Sequence, residues 1–112
     1  MVADCLFCKI VSGEIGAKVV HDDDRVLAFE DVNPKAPTHV LVIPKKHLAN
    51  ISELGTDPET AAALVAGVGA VAAESGLESF RTVFNTGPGA GQTVFHVHAH
   101  VLAGRSLTWP PG

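Results

Sequence analysis

Apolar and polar positions change rhythm along the chain. Residues 17–21 (AKVVH), 25–31 (RVLAFED) and 38–44 (THVLVIP) read as short strands, the last a β-branched apolar run. Asp22–Asp24 ends the first, and Asn33-Pro34 with Ala36-Pro37 marks a loop before the third. Beyond Thr56 or Asp57, either a good helix cap, the period lengthens: Leu64, Val68 and Val71 recur at helical spacing, joined by Ala61, Val65 and Ala72, until Gly76. Gly67 and Gly69 weaken that helix by up to about 1 kcal/mol each relative to Ala. They either admit a second backbone closely or are simply tolerated. Strand-like segments return at 80–85 (FRTVFN) and 93–102 (TVFHVHAHVL), joined by the glycine-rich turn 86–91. Residues 6–11 (LFCKIV) read as a short helix or turn. The pattern predicts an α+β fold: an antiparallel five-stranded sheet with one main helix and a short N-terminal helix.

The length of 112 residues points to a single domain, 1–112. Hydrophobic residues at 46% against 18% charged exclude intrinsic disorder. A net charge of −4 supplies no field for gathering nucleic acid. The longest weakly polar stretch, 61–73, is too short to span a bilayer, and no basic or apolar leader is expected after Met1. The expected location is therefore cytoplasmic. In that reducing setting the C-x-x-C pair Cys5 and Cys8 implies metal or redox chemistry rather than a structural disulfide.

Histidine changes the picture most. There are six, against eight Lys plus Arg, and three lie at 96, 98 and 100. On a continuous strand they share one face, about 6.5–7 Å apart, with Val97, Ala99 and Val101 facing the core helix. That spacing is too extended for all three to reach one metal ion. A neutral imidazole has a free lone pair at pH 7 and can attack phosphorus. Just upstream, Gly87, Gly89 and Gly91 would let backbone N–H groups approach a phosphate, and Gln92 and Thr93 add side-chain donors. His21, beside three aspartates, and Lys45-Lys46 read as solvated surface.

The block HVHAHVL at 96–102 resembles the histidine triad family, whose pattern is His-φ-His-φ-His-φ-φ with φ hydrophobic. The resemblance covers nearly the whole chain, through CLFCKI at 5–10, LAFEDVNPKAPTHVLVIPKKH at 27–47, NTGPGAGQTVFHVHAH at 85–100 and WPPG at 109–112. The tail and Ala103-Gly104-Arg105 are similar to the Hint branch rather than the dinucleoside-polyphosphate branch.

The resemblance implies a HIT-like fold and cleavage of purine nucleoside 5′-phosphoramidates. Its alternatives are a nucleotide-binding module with little turnover, or a dinucleoside-polyphosphate hydrolase or nucleotide phosphorylase. It makes His98 the nucleophile, His100 its neighbour at the phosphate and His39 a hydrogen-bonding support. Asn85, Gly91, Gln92 and Thr93 would line the phosphate and leaving-group side. Asp31 would bind the ribose hydroxyls, and Phe7, Ile10, Ile15, Phe29 and Val32 the base, although these apolar residues read equally well as core. A homodimer is implied, with Trp109 reaching toward the partner's site. Bacterial relatives further imply a structural Zn2+ held by Cys5, Cys8, His47 and His96, a closed tetrahedral set.

Overall fold

Alternation along two adjacent strands decides how the layers form. In a computed structural model, which describes residues 4–112, β2 (Val26–Glu30) pairs antiparallel with β3 (Thr38–Pro44). Side chains of a strand point alternately to opposite faces. Val26, Ala28, Val40 and Val42 therefore enter one core cluster, and Leu27, Phe29, Leu41 and Ile43 enter another. The first cluster packs against Leu64, Val68 and Val71 of the long helix. The second packs against Cys5, Phe7 and Cys8 of the N-terminal segment. The sheet is thus covered by a helix on each face, and the central strands are buried on both.

The order is α1 (Leu6–Val11), β1 (Val19–Asp22), β2, β3, α2 (Ile51–Leu54), α3 (Pro58–Glu74), β4 (Arg81–Val83), one 3-10 turn (Pro88–Ala90) and β5 (Ala99–Ala103). The five strands lie in the order β1-β2-β3-β5-β4, all pairs antiparallel. The α+β five-stranded prediction holds, with α2 as an added turn of helix. Asp57 caps α3 by accepting from the Thr60 amide, and Pro58 takes the first turn, where a missing N–H costs nothing. Gly76, just past the helix, has φ +66°, the left-handed geometry of a helix stop. Val65, counted on the apolar stripe by period, is exposed instead.

The two helical glycines separate. A Cβ on Gly67 would lie 2.7 Å from Val26 Cγ1, whereas one on Gly69 would meet nothing within 4 Å. Gly67 is where α3 sits on the sheet; Gly69 is merely tolerated.

The largest departure from expectation is the histidine strand. Residues 93–98 are not strand; β5 begins at Ala99, and its ladder with β3 ends at Val42↔Ala99. Pro44 has no amide hydrogen, and its carbonyl is taken by the His96 ring at 2.7 Å. The Val97 amide turns to the Leu48 carbonyl at 2.7 Å. With those groups diverted, the ladder cannot continue. The segment 38–44 is observed as predicted, 25–31 and 80–85 lose one or two residues at each end, and the first strand is shifted, losing residues 17–18 and taking in Asp22, which was expected to end it. Among the described residues no helix is long and apolar enough to cross a membrane. The leader reading at Met1–Ala3 lies outside the described residues.

Candidate functional site

Because β5 starts late, the three histidines do not share one strand face. His100 alone sits in the ladder; His98 precedes it, and their rings are 5.0 Å apart. His96 is wholly buried and turned toward the N-terminal cysteines. The apolar side of the pattern does hold, with Val97, Ala99 and Val101 all in the core under α3.

Backbone partners fix the protons on these rings. A carbonyl can only accept and an amide N–H can only donate. His98 Nδ1 lies 2.8 Å from the His96 carbonyl, so Nδ1 carries the proton and Nε2 keeps a bare lone pair. The Lys35 amide donates to His39 Nδ1 at 3.0 Å, so the His39 proton is on Nε2. That N–H donates to His100 Nδ1 at 2.9 Å, with Asp31 Oδ2 at 3.4 Å as a second neighbour. The His100 proton is then on its Nε2. Burial holds all three rings below the ordinary histidine range, His100 at about 4, with the neighbouring rings acting in the same direction on His100. They are neutral at pH 7, as this reading of the tautomers requires.

His98 and His100 open onto a cleft of about 580 Å³. Phe7, Ile10, Ile15, Phe29, Asp31, Val32, Thr93, His98 and His100 all line it. Phe7 is buried, meeting the His98 ring edge-on at 5.1 Å and Phe29 at 5.5 Å. Val32 is fully exposed at the rim. Asp31 sits at the base of the β2–β3 hairpin, its amide donating to the His39 carbonyl and its Oδ1 accepting from the Asn33 amide. Leu41 and Val94 also line the cleft and were not anticipated. Leu41 was legible, since it lies two residues from His39 on the same face and pairs with His100.

Asn85, Gly91, Gln92, His39 and Trp109 do not form the cleft wall. Gly91 has φ +91°, a conformation open to glycine, with Asn85 Nδ2 beside it. The expectation that Gln92 donates to a phosphate is corrected. Its buried amide already donates to the Ala49 and Val94 carbonyls at 2.8 and 3.1 Å and accepts from the Gly87 amide at 2.9 Å. Gln92 braces the glycine loop from beneath. Trp109 is exposed at the end of the chain, whose Leu107 and Thr108 carbonyls accept from Arg81.

A second constellation lies on the other side of Phe7. The donor atoms of Cys5, Cys8, His47 and His96 are all within 4.8 Å of one another. Cys5 caps α1, its sulfur accepting from the Cys8 amide at 3.3 Å. His96 Nε2 donates to the Pro44 carbonyl, so its Nδ1 lone pair faces inward, 3.4 and 3.5 Å from the two sulfurs. His47 Nδ1 is 3.2 Å from His96 Nδ1 and 3.4 Å from Cys8 Sγ. Bond lengths of about 2.0–2.1 Å to nitrogen and 2.3 Å to sulfur put ligand atoms of a tetrahedral zinc about 3.3–3.6 Å apart for these pairs. The cluster therefore fits Zn2+ in both donor chemistry and spacing. Burial holds His96 at about 4 and raises the Cys5 thiol, so these two groups favour their neutral forms.

His21 belongs to neither cluster. Its ring bridges Asp23 at 2.8 Å and Glu74 at 3.1 Å.

A family model described as HIT domain matches residues 12–107. The 14 kDa zinc-binding protein of Zea mays is 45% identical over 113 residues, covering 96% of this chain and 87% of that protein. A crystal structure of a HIT family hydrolase from Legionella pneumophila superposes with a TM-score of 0.92 at 49% identity, covering 97% of this chain and all of the other. The histidine triad nucleotide-binding protein of Candida albicans gives a TM-score of 0.84 at 28% identity, covering 96% and 83%.

Proposed function

The chain belongs to the HIT domain family, and from that premise we propose that it hydrolyses purine nucleoside 5′-phosphoramidates through a covalent nucleotidyl-His98 intermediate. The observation that carries this reading is the bare Nε2 of His98, aimed by the His96 carbonyl and set at an apolar cleft. The base would lie among Phe7, Ile10, Ile15 and Phe29, with the ribose at Asp31. His98 Nε2 attacks the α-phosphorus, forming an N–P bond as the P–N bond to the amine breaks, and the departing amine takes a proton from solvent. His100 Nε2–H donates to a phosphate oxygen, and Thr93 adds a hydroxyl on the leaving-group side. Water then cleaves the histidine–phosphorus bond, releasing the nucleoside monophosphate and restoring neutral His98. The hydrolase and nucleotide-binding names of the Legionella and Candida proteins support this class of activity.

Cys5, Cys8, His47 and His96 would hold a structural Zn2+, which, when bound, crosslinks the N-terminal segment to the segment before β5 and takes no part in the reaction. The zinc-binding name of the maize protein supports this. A homodimer, a cytoplasmic location and one domain over 1–112 complete the reading; the open edge of β4 is a surface through which two sheets could join.

Substituting His98→Ala should abolish turnover of an adenosine 5′-phosphoramidate and any nucleotide adduct seen by intact mass, with AMP still bound. Unchanged turnover would sink the mechanism. Binding without turnover in the wild type would favour a nucleotide-binding module, and faster cleavage of diadenosine polyphosphates would favour the hydrolase of that class.

A further inference from the structure

The polypeptide after β5 reaches back to the loop that sets the His39 proton. Arg105 Nε donates to the Lys35 carbonyl at 2.9 Å, while its Nη1 donates to the Ser106 carbonyl at 2.9 Å. The preceding Gly104 has φ +96°, and a Cβ there would sit 2.9 Å from the Pro37 ring. Two successive residues thus hold the loop 33–37 from outside. Within that loop Pro34 and Pro37 restrict the backbone, and Ala36 is buried. The Lys35 amide then points inward at His39 Nδ1.

We propose that Arg105 is a positioning residue for His39, acting through Lys35. The chain of contacts runs from the Arg105 guanidinium to the Lys35 carbonyl, from the Lys35 amide to His39 Nδ1, and from His39 Nε2–H to His100 Nδ1. The inward amide forces one tautomer on His39. If the loop loosens, the His39 proton is free to move to Nδ1, leaving an Nε2 lone pair facing the His100 Nδ1 lone pair. His100 then loses the donor that keeps its own proton on the cleft side. Arg105 is exposed and outside the cleft wall, so its effect falls on the rate rather than on nucleotide binding.

The kinetic half of this inference rests on the hydrolytic reading above; the tautomer half does not. The test compares wild type, Arg105→Ala, Arg105→Lys and the control Arg25→Ala, an exposed arginine paired to Glu59. Nitrogen NMR of the histidine rings reads the tautomer, and steady-state kinetics on an adenosine phosphoramidate read kcat and KM. Wild type should hold His39 protonated at Nε2 only. Arg105→Ala should mix the two tautomers and lower kcat about fivefold with KM changed less than about twofold. Arg105→Lys, which keeps a donor, should restore most of both, and Arg25→Ala should change neither. His39 nitrogens unaltered in Arg105→Ala would overturn the inference whatever the kinetics. A wild type inactive on every nucleotide would overturn the hydrolytic reading, and the ring nitrogens would still decide Arg105.

Discussion

Two clusters in this molecule hold ligating atoms at comparable spacing, and they have opposite chemistry. Cys5, Cys8, His47 and His96 form one; Asp31, His39 and His100 form the other. In each, one histidine is anchored from behind by the backbone. Behind His96 stands a carbonyl, which takes the ring N–H and leaves a lone pair facing the cluster. Behind His39 stands an amide, which takes the lone pair and leaves an N–H facing the cluster. The first arrangement presents a metal ligand. The second presents a donor that must be stripped of its proton before a metal could bind, and it serves instead as a hydrogen-bond relay. The direction of a single backbone hydrogen bond separates the two functions, as second-shell partners do at metal sites generally.

The most severe way to break this comparison is to remove the metal cluster. Purified protein should carry close to one zinc per chain, and Cys8→Ala should carry none. Because metal-binding energy is folding energy, loss of zinc should lower the thermal midpoint by about 10 °C or more. A metal-free protein that melts like the purified one would remove zinc from the account. Cobalt sharpens the test. Titrated into zinc-free protein, Co2+ should bind once, with a thiolate-to-metal absorption band. A second cobalt without that band would place metal at Asp31, His39 and His100 and dissolve the distinction between the clusters.

Both clusters hang from one face of a sheet whose other face rests on α3, and Gly67 is where that support is closest. Gly67→Ala drives a methyl to within 2.7 Å of buried Val26, so it should destabilise by about 1–3 kcal/mol, as overpacked cores do. Gly69→Ala meets open space and should stabilise by up to about 1 kcal/mol through helix propensity. Urea unfolding of both variants reads the difference. Equal effects would mean that α3 does not sit on the sheet at Gly67.

How far these sites could be read beforehand follows from what carries them. The C-x-x-C pair and the alternating histidines are side-chain patterns, and the resemblance they complete pointed to the cleft residues Phe7, Phe29, Asp31 and His98. Gly67 and Gly69 carry the same letter, and only the packed helix tells them apart. The Pro44 carbonyl and the Lys35 amide are groups that every chain has at almost every residue. Their direction comes from loop closure between strands, which no local pattern encodes. The same cause explains why the histidine strand is shorter than its alternation suggests, and why Gln92 turns inward.

His21 supplies a third environment for the same ring, and the smallest effect. Here acceptors stand on both sides: Asp23 at Nε2 and Glu74 at Nδ1. Two carboxylates favour a proton on each nitrogen, and the hydrogen bond to Asp23 chiefly holds the His21 pKa above its ordinary value, with Glu74 adding to it. Burial of the ring opposes this but does not win. A group whose pKa is higher folded than unfolded stabilises the fold fully below its unfolded value, near 6.5, and loses that contribution as pH rises through the folded value. His21→Gln should therefore cost more stability at pH 5.5 than at pH 8.5. The carboxylates are about half exposed, so solvent screening keeps the difference below about 1 kcal/mol. Denaturant unfolding at the two pH values measures it. A cost that is the same at both, or larger at pH 8.5, would mean that His21 is held as a neutral ring, and that acceptors on both sides do not by themselves set its charge.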